Sequence, residues 1–239
     1  MTWRRGALVG LVAACLAACQ AVESTSAPRP SNVTSATPVA PPDAVDPEAL
    51  VIVERGFTAF AEDGADFASF GIVLTNPNPD WAVVRSEVFI DFFDADDAFI
   101  AGEEVFLTLL PGQTSAIAGE AFGAGRATRM EVGLPDDTTA FEPATDSGRA
   151  FDVTDVSTTR SDDLNVTSGT LTSRFGTVQR LVQLAAIYRD AGGGIVGGAV
   201  GGVDAIEPGQ ELEFEIVDAA PHGDLAAAEV FWQLSGIGR

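Results

Sequence analysis

From residue 48 onward, apolar and polar residues alternate at every second position, the period of a β-strand rather than of a helix. The cleanest stretch is Glu211–Ile216, where Leu212, Phe214 and Ile216 interleave with Glu211, Glu213 and Glu215. That pattern predicts one packed face and one wet face. The same period predicts strands over Ala68–Leu74, Ser86–Phe92 and Val182–Tyr188, and a closing strand over Val230–Leu234. Turn formers stand between them: Asn76-Pro77-Asn78-Pro79, Asp96-Asp97, Pro111-Gly112, Gly192-Gly193-Gly194 and Pro208-Gly209. Short strands at this spacing predict an all-β chain of sandwich type.

The N-terminal pattern is different. Arg4 and Arg5 precede an uncharged apolar run, Gly6–Ala18. Crossing a bilayer as a helix takes about 20 residues, so this run is too short to span and has the length of a signal-peptide core. It ends in Leu16-Ala17-Ala18-Cys19, which resembles the bacterial lipobox. The resemblance implies cleavage before Cys19 and lipidation of its thiol. Each buried methylene contributes about 0.8 kcal/mol, so a diacylglyceryl group anchors stably where one acyl chain does not. Residues 20–47 contain six prolines and no aromatic residue, a composition that cannot build a core and predicts a disordered tether.

Beyond the tether the chain repeats at a period of 96 or 97 residues. Phe92-Phe93-Asp94-Ala95 falls over Tyr188-Arg189-Asp190-Ala191, and Phe99-Ile100-Ala101-Gly102 over Ile195-Val196-Gly197-Gly198. Leu110-Pro111-Gly112-Gln113 falls over Glu207-Pro208-Gly209-Gln210. A period this long predicts tandem domains rather than a solenoid. The expected organisation is a signal peptide over 1–18, a lipidated Cys19 and tether over 19–47, and two sandwich domains over 48–147 and 148–239.

At these residues the chain resembles the FxLYD family of small immunoglobulin-like β-sandwich domains, common in exported and membrane-anchored bacterial proteins. A strand closing on an aromatic-Asp pair, a hairpin, and a Pro-Gly turn into another strand carry the resemblance, twice within residues 67–217. Ile90 and Ala186 stand where the family has Phe, and Arg189 where it has Tyr. The resemblance implies two tandem immunoglobulin-like domains with an accessory or interaction role, and it implies no catalytic residue. Leu74-Thr75-Asn76-Pro77-Asn78-Pro79 also resembles a signature of water-stress β-sandwich proteins, although turn chemistry alone accounts for it.

Composition narrows the chemistry. Cys15 and Cys19 are the only cysteines, so the mature domains hold no disulfide, Cys-ligated metal or free thiol. All thirteen basic residues are arginine, which excludes a Schiff-base lysine and a P-loop lysine. Past Cys19, 35 acids face 11 arginines, a net −24, and such a surface repels nucleic acid. No cofactor is expected.

His222 is the sole histidine and rules out a two-histidine metal site. Within Pro221-His222-Gly223-Asp224 it reads as a surface turn residue, although any Ser-His-Asp triad would have to use it. Asp94, Asp96 and Asp97 crowd a predicted hairpin with hard oxygen ligands of the kind calcium takes, but alternating strand positions face opposite ways and a solvated hairpin is the simpler expectation. Trp81, beside the Asn-Pro turn, is expected to plug a sandwich end, with contact to a glycan or partner protein as the functional alternative. Gly192–Gly202 holds seven glycines and reads as a tight hairpin followed by a bulged strand. A hydrolase would need a cleft, which short loops are not expected to form.

Together these features predict a non-enzymatic, extracytoplasmic lipoprotein. It is held to the membrane through Cys19 and presents its sandwiches to an envelope protein or the cell wall. A calcium- or small-ligand-binding module and a water-stress protein are the alternatives. Replacing Cys19 with Ala in the full-length chain should move it from the membrane fraction to the soluble fraction on ultracentrifugation of lysed cells.

Overall fold

A computed structural model describes residues 46–134, 141–144, 150–161, 164–223 and 225–235. The expected signal peptide, Cys19, the expected tether up to residue 45, and residues 145–149 at the expected domain boundary lie outside them. Every element is a strand. The first half contains β1 (Val51–Glu62), β2 (Ala65–Thr75), β3 (Trp81–Phe93), β4 (Phe99–Leu109), β5 (Thr114–Phe122), β6 (Arg129–Gly133) and β7 (Phe141–Pro143). The second half contains β8 (Phe151–Ser161), β9 (Leu164–Ser173), β10 (Gln179–Arg189), β11 (Ile195–Ile206), β12 (Glu211–Asp218) and β13 (Ala227–Leu234).

All ladders are antiparallel, and the two halves share one strand order. In the first, β1-β2-β5 faces β4-β3-β6; in the second, β8-β9-β12 faces β11-β10-β13. β6 and β7 pair with successive parts of β3, the course that β13 follows alone along β10. The repeat extends to single atoms. Asp94 Oδ1 accepts the amides of Asp96 and Ala98, and Asp190 Oδ1 accepts those of Gly192 and Gly194. Asp97 (φ 59°) and Gly193 (φ 85°) take the same left-handed place in these hairpins, as a three-residue loop of this kind requires. At the Pro-Gly turns, Gly112 (φ 66°) and Gly209 (φ 71°) hold the position that only glycine fills without strain. Gln113 Oε1 and Gln210 Oε1 each close their own turn by accepting an amide, from Leu110 and Glu207, at 2.8 Å.

Alternation sorts side chains as expected. Ala68, Phe70, Ile72 and Leu74 of β2 meet Val88, Ile90 and Phe92 of β3 in the first core. Leu171, Leu184, Tyr188, Phe214, Ile216 and Trp232 build the second. The Asn-Pro-Asn turn ties strand starts together. Asn76 Nδ2 donates to the carbonyls of Trp81 and Leu110, at 2.6 and 3.1 Å, while Asn78 exchanges two bonds with the backbone of Glu48.

The halves are not beads on a string. Residues Val45–Arg239 form one compact unit, because the outward face of β1-β2-β5 packs on the outward face of β11-β10-β13. Val73, Ala116 and Ala118 meet Ala185 and Ile187 in a third apolar cluster. Leu110, at the first Pro-Gly turn, reaches into the second core. Gln113 Nε2 and Ser115 Oγ both donate to Trp232 O at 2.8 Å, and Arg189 pairs with Glu54 at 2.5 Å.

Glycine makes the approach possible. A Cβ at Gly56 would lie 2.1 Å from Ile195 O, and one at Gly198 would lie 2.5 Å from Ala186 O and 2.8 Å from the Ala118 methyl. The glycine run after the second hairpin is therefore both the expected bulged strand and one side of this seam. Gly56→Ala should cost about 2 kcal/mol or more, as overpacking against backbone does. Gly176→Ala, whose new methyl meets nothing within 4 Å, should stay within about 0.5 kcal/mol; urea denaturation of both variants measures the difference.

Candidate functional site

The structure uses the hairpin acids locally. Asp94 spends its carboxylate on turn amides, and Asp97 pairs with Arg129 at 3.1 Å. Among the described residues, no three acidic, histidine or cysteine side chains are grouped to hold a metal ion. Arg129 lies 4.0 Å over the Phe93 ring, a cation–π contact. Trp81 is half-buried and pairs with Pro143 across the β3–β7 ladder.

His222 overturns its expected place. Its side chain is 1 % exposed, and Nε2 is hydrogen-bonded to Asp218 Oδ2, a carboxylate 3 % exposed. The reason can be seen in β12. Phe214 and Ile216 point inward and Glu211, Glu213 and Glu215 outward, but the alternation then carries Val217 out (56 % exposed) and Asp218 in. A buried carboxylate is costly unless it is paired and hydrogen-bonded. Asp218 gains the His222 ring and, through Oδ1, the amide of Ala220 at 3.0 Å. The turn after β12 thus folds inward over its own acid.

Around this pair the second core becomes polar. The His222 ring lies 4.6 Å from the Tyr188 ring, and Thr167 donates to Tyr188 Oη at 3.2 Å. Thr158 and Thr167 share a bond at 2.8 Å, and Asn165 Nδ2 donates to Ala220 O at 3.0 Å. Burial pushes the Tyr188 phenol up to about 12, with the Asp218 charge acting in the same direction. The Cβ of any larger residue at Gly197 would come within 2.5 Å of both the His222 ring and Ser69 Oγ. Ser69 is fully buried, and its hydroxyl is committed to both backbone groups of Gly198. The Asp-His pair has the elements of a proton relay. Here it is a buried polar bolt, and the hydroxyl of Ser69, on the other side of Gly197, is already engaged.

A cleft of about 420 Å³ opens beside this polar end, between the edges of β8 and β13. Strand residues of β8, β9 and β13 form it together with the loop segment that precedes β13. Ser157, Thr158, Arg160 and Asn165 make one wall, and Leu225 with Ala226–Ala228 the other.

A second surface lies on the first half. Cross-strand rows on the outward face of β1-β2-β5 change in character along the sheet. Gly56-Gly71-Ala118 lies in the seam, then Thr58-Ser69-Glu120, then Phe60-Phe67-Phe122. The three rings form a ladder with centroids 5.6 and 5.5 Å apart. Phe122 is 70 % exposed. The Glu120 carboxylate beside them is held above its ordinary range by desolvation, Asp218 and Glu62. Elsewhere, exposed rings lean on glycines: Phe99 over Gly102 and Phe89 against Gly133. They cover bare backbone and are accounted for locally.

Comparison with protein-family models and with curated proteins finds no match to the chain.

Tyr188 is the only tyrosine, so absorbance at 295 nm reads its ionisation alone. The midpoint should lie near 12 rather than 10. Because the folded state holds the phenol proton more tightly than the unfolded state, stability is fully present below about pH 10. It falls by about 2–3 kcal/mol as pH rises through 12.

Proposed function

We propose that this chain is a non-enzymatic envelope lipoprotein. In this reading Cys19 carries the lipid, residues 20–47 hold the body clear of the membrane, and two immunoglobulin-like sandwiches of the FxLYD type present a surface to a partner protein outside the cytoplasm. The strand orders β1-β2-β5 with β4-β3-β6, repeated in the second half, support an immunoglobulin-like assignment.

One observation carries the interaction role: the aromatic row Phe60-Phe67-Phe122 ends in a ring 70 % exposed. Exposed aromatic rings in a row are characteristic of recognition surfaces, where large rigid side chains give contact area at small entropic cost. The rings of this row pack on each other. The acids beside it define the partner. Glu62, Glu120 and Asp218 concentrate negative potential, which favours an apolar segment that carries arginine or lysine.

Photocrosslinking tests this. With benzoylphenylalanine at position 122, irradiation of intact cells should yield a discrete higher-mass adduct. The same group at the solvated hairpin position Asp96 should not yield one, and Phe122→Glu should abolish co-purification of the crosslinked partner. A chain that yields no adduct at 122 above the level at 96 would remove the proposal.

A further inference from the structure

We propose that the aromatic row on β1-β2-β5 takes the guanidinium of an arginine side chain from its partner, stacked on the Phe67–Phe122 pair between the carboxylates of Glu120 and Glu62. This rests on the reading of the row as an interaction surface and adds what that surface selects.

The chain already holds its own arginines in this way. Arg129 lies 4.0 Å over the Phe93 ring. Phe93 in turn meets Phe99 edge to face, with centroids 6.1 Å apart at 78°. Two carboxylates hold the guanidinium from its sides: Asp97 at 3.1 Å, and Glu131, two residues along the same strand. Arg85 likewise lies 5.1 Å over Phe106. A flat guanidinium stacks on a ring while its edge N–H groups donate to carboxylates, so ring and acid act on different parts of one cation.

The aromatic row repeats the rings and the acids of this arrangement. Phe67 and Phe122 meet edge to face, 5.5 Å apart at 77°. Glu120 precedes Phe122 by two residues on β5, and Glu62 follows Phe60 by two on β1, so each acid shares the outward face of its neighbouring ring. Both acids are exposed, and Glu62 acts on Glu120 electrostatically across the row. The element that differs is the cation. Among the described residues no arginine lies over these rings, and neither Glu62 nor Glu120 is in an ion pair.

Charge sets the sign of the occupant and shape sets its kind. An ammonium is a compact, strongly hydrated point charge, whereas a guanidinium is planar, weakly hydrated and forked. Only the second can lie on a ring and reach a carboxylate at its edge. Three rings abreast span two strand spacings, roughly 10 Å, which leaves apolar surface beside the guanidinium for a neighbouring side chain of the same segment.

Three short peptides test this, identical except for a central residue flanked by leucines: arginine, lysine, or citrulline, the neutral analogue of arginine's shape. In ¹H–¹⁵N spectra of the full chain, the arginine peptide should shift the amides of Phe67, Glu120 and Phe122 saturably, in the millimolar range or below. The citrulline peptide should bind about tenfold more weakly, and the lysine peptide severalfold more weakly. Glu62→Gln combined with Glu120→Gln should bring the arginine peptide down to the citrulline level. Phe122→Leu, which keeps an apolar contact and removes the ring, should erase the preference for arginine over lysine. All three positions are exposed, and unmoved amides elsewhere report an intact fold. Equal binding of the three peptides, or arginine binding that either variant leaves unchanged, would overturn the guanidinium site and leave the row an interaction surface. Shifts in the row on concentrating the chain alone would make a second copy the occupant and overturn it too. So would the lack of a saturable shift with the arginine peptide, while the crosslink at position 122 decides the broader reading separately.

Discussion

The close approach of two sheets that turn their backs on their own cores is the constraint on which the molecule depends. β2 and β11 face each other across glycines, and a Cβ at Gly56, Gly71 or Gly198 would lie inside 3 Å of atoms in the opposite half. Packed sheets normally stand about 10 Å apart with side chains interleaved. Here one row of side chains is missing, and backbone carbonyls take part in the contact. Polar groups at the seam must then be satisfied across it. Ser69 holds both ends of Gly198, Thr58 reaches Val196 O, and Gln113 and Ser115 share Trp232 O.

That seam explains features that are puzzling one at a time. A strand as rich in glycine and as poor in side chains as β11 would be weak by itself. Its first half, Gly197–Ala199, is buried on both faces, between the seam and the second core. The inward turn after β12 follows from the same geometry. The seam ends at the Thr58-Ser69-Glu120 row, and the second half must close its core at that level. Asp218 and His222 do so from above the Tyr188 ring, at the edge where the glycine strand leaves no side chain to fill the space.

The sequence was most readable where one face is wet. β12 announces itself through Glu211, Glu213 and Glu215, and β2, β3, β10 and β13 through their alternating apolar residues. The hairpins were readable because Asp and Pro-Gly have fixed turn chemistry. β1 was harder, because Phe57 and Ala59 serve the first core while Gly56 and Thr58 meet the second half and Phe60 joins the aromatic row, which blurs the alternation. β8 was hidden by its polarity, as an edge strand with Ser, Thr and Arg. The site at the second half was missed for a specific reason. His222 was read from its Pro and Gly neighbours, which describe the backbone of a turn and say nothing of where the side chain goes. The available signal was one step earlier. Carrying the alternation of β12 through Val217 to Asp218 puts an acid inside, and a buried acid four residues before the only histidine calls for that histidine as its partner.

A fused pair of sandwiches differs in function from two domains joined by a hinge. With a hinge, each half would sample orientations independently, and two surfaces would act together only through their effective concentration. The seam instead fixes the aromatic row of the first half relative to the polar end of the second. Asp218 belongs to both: it is buried in the second half beneath His222, and its charge raises the proton affinity of Glu120 beside the aromatic row. One compact unit therefore carries both, with no hinge between them.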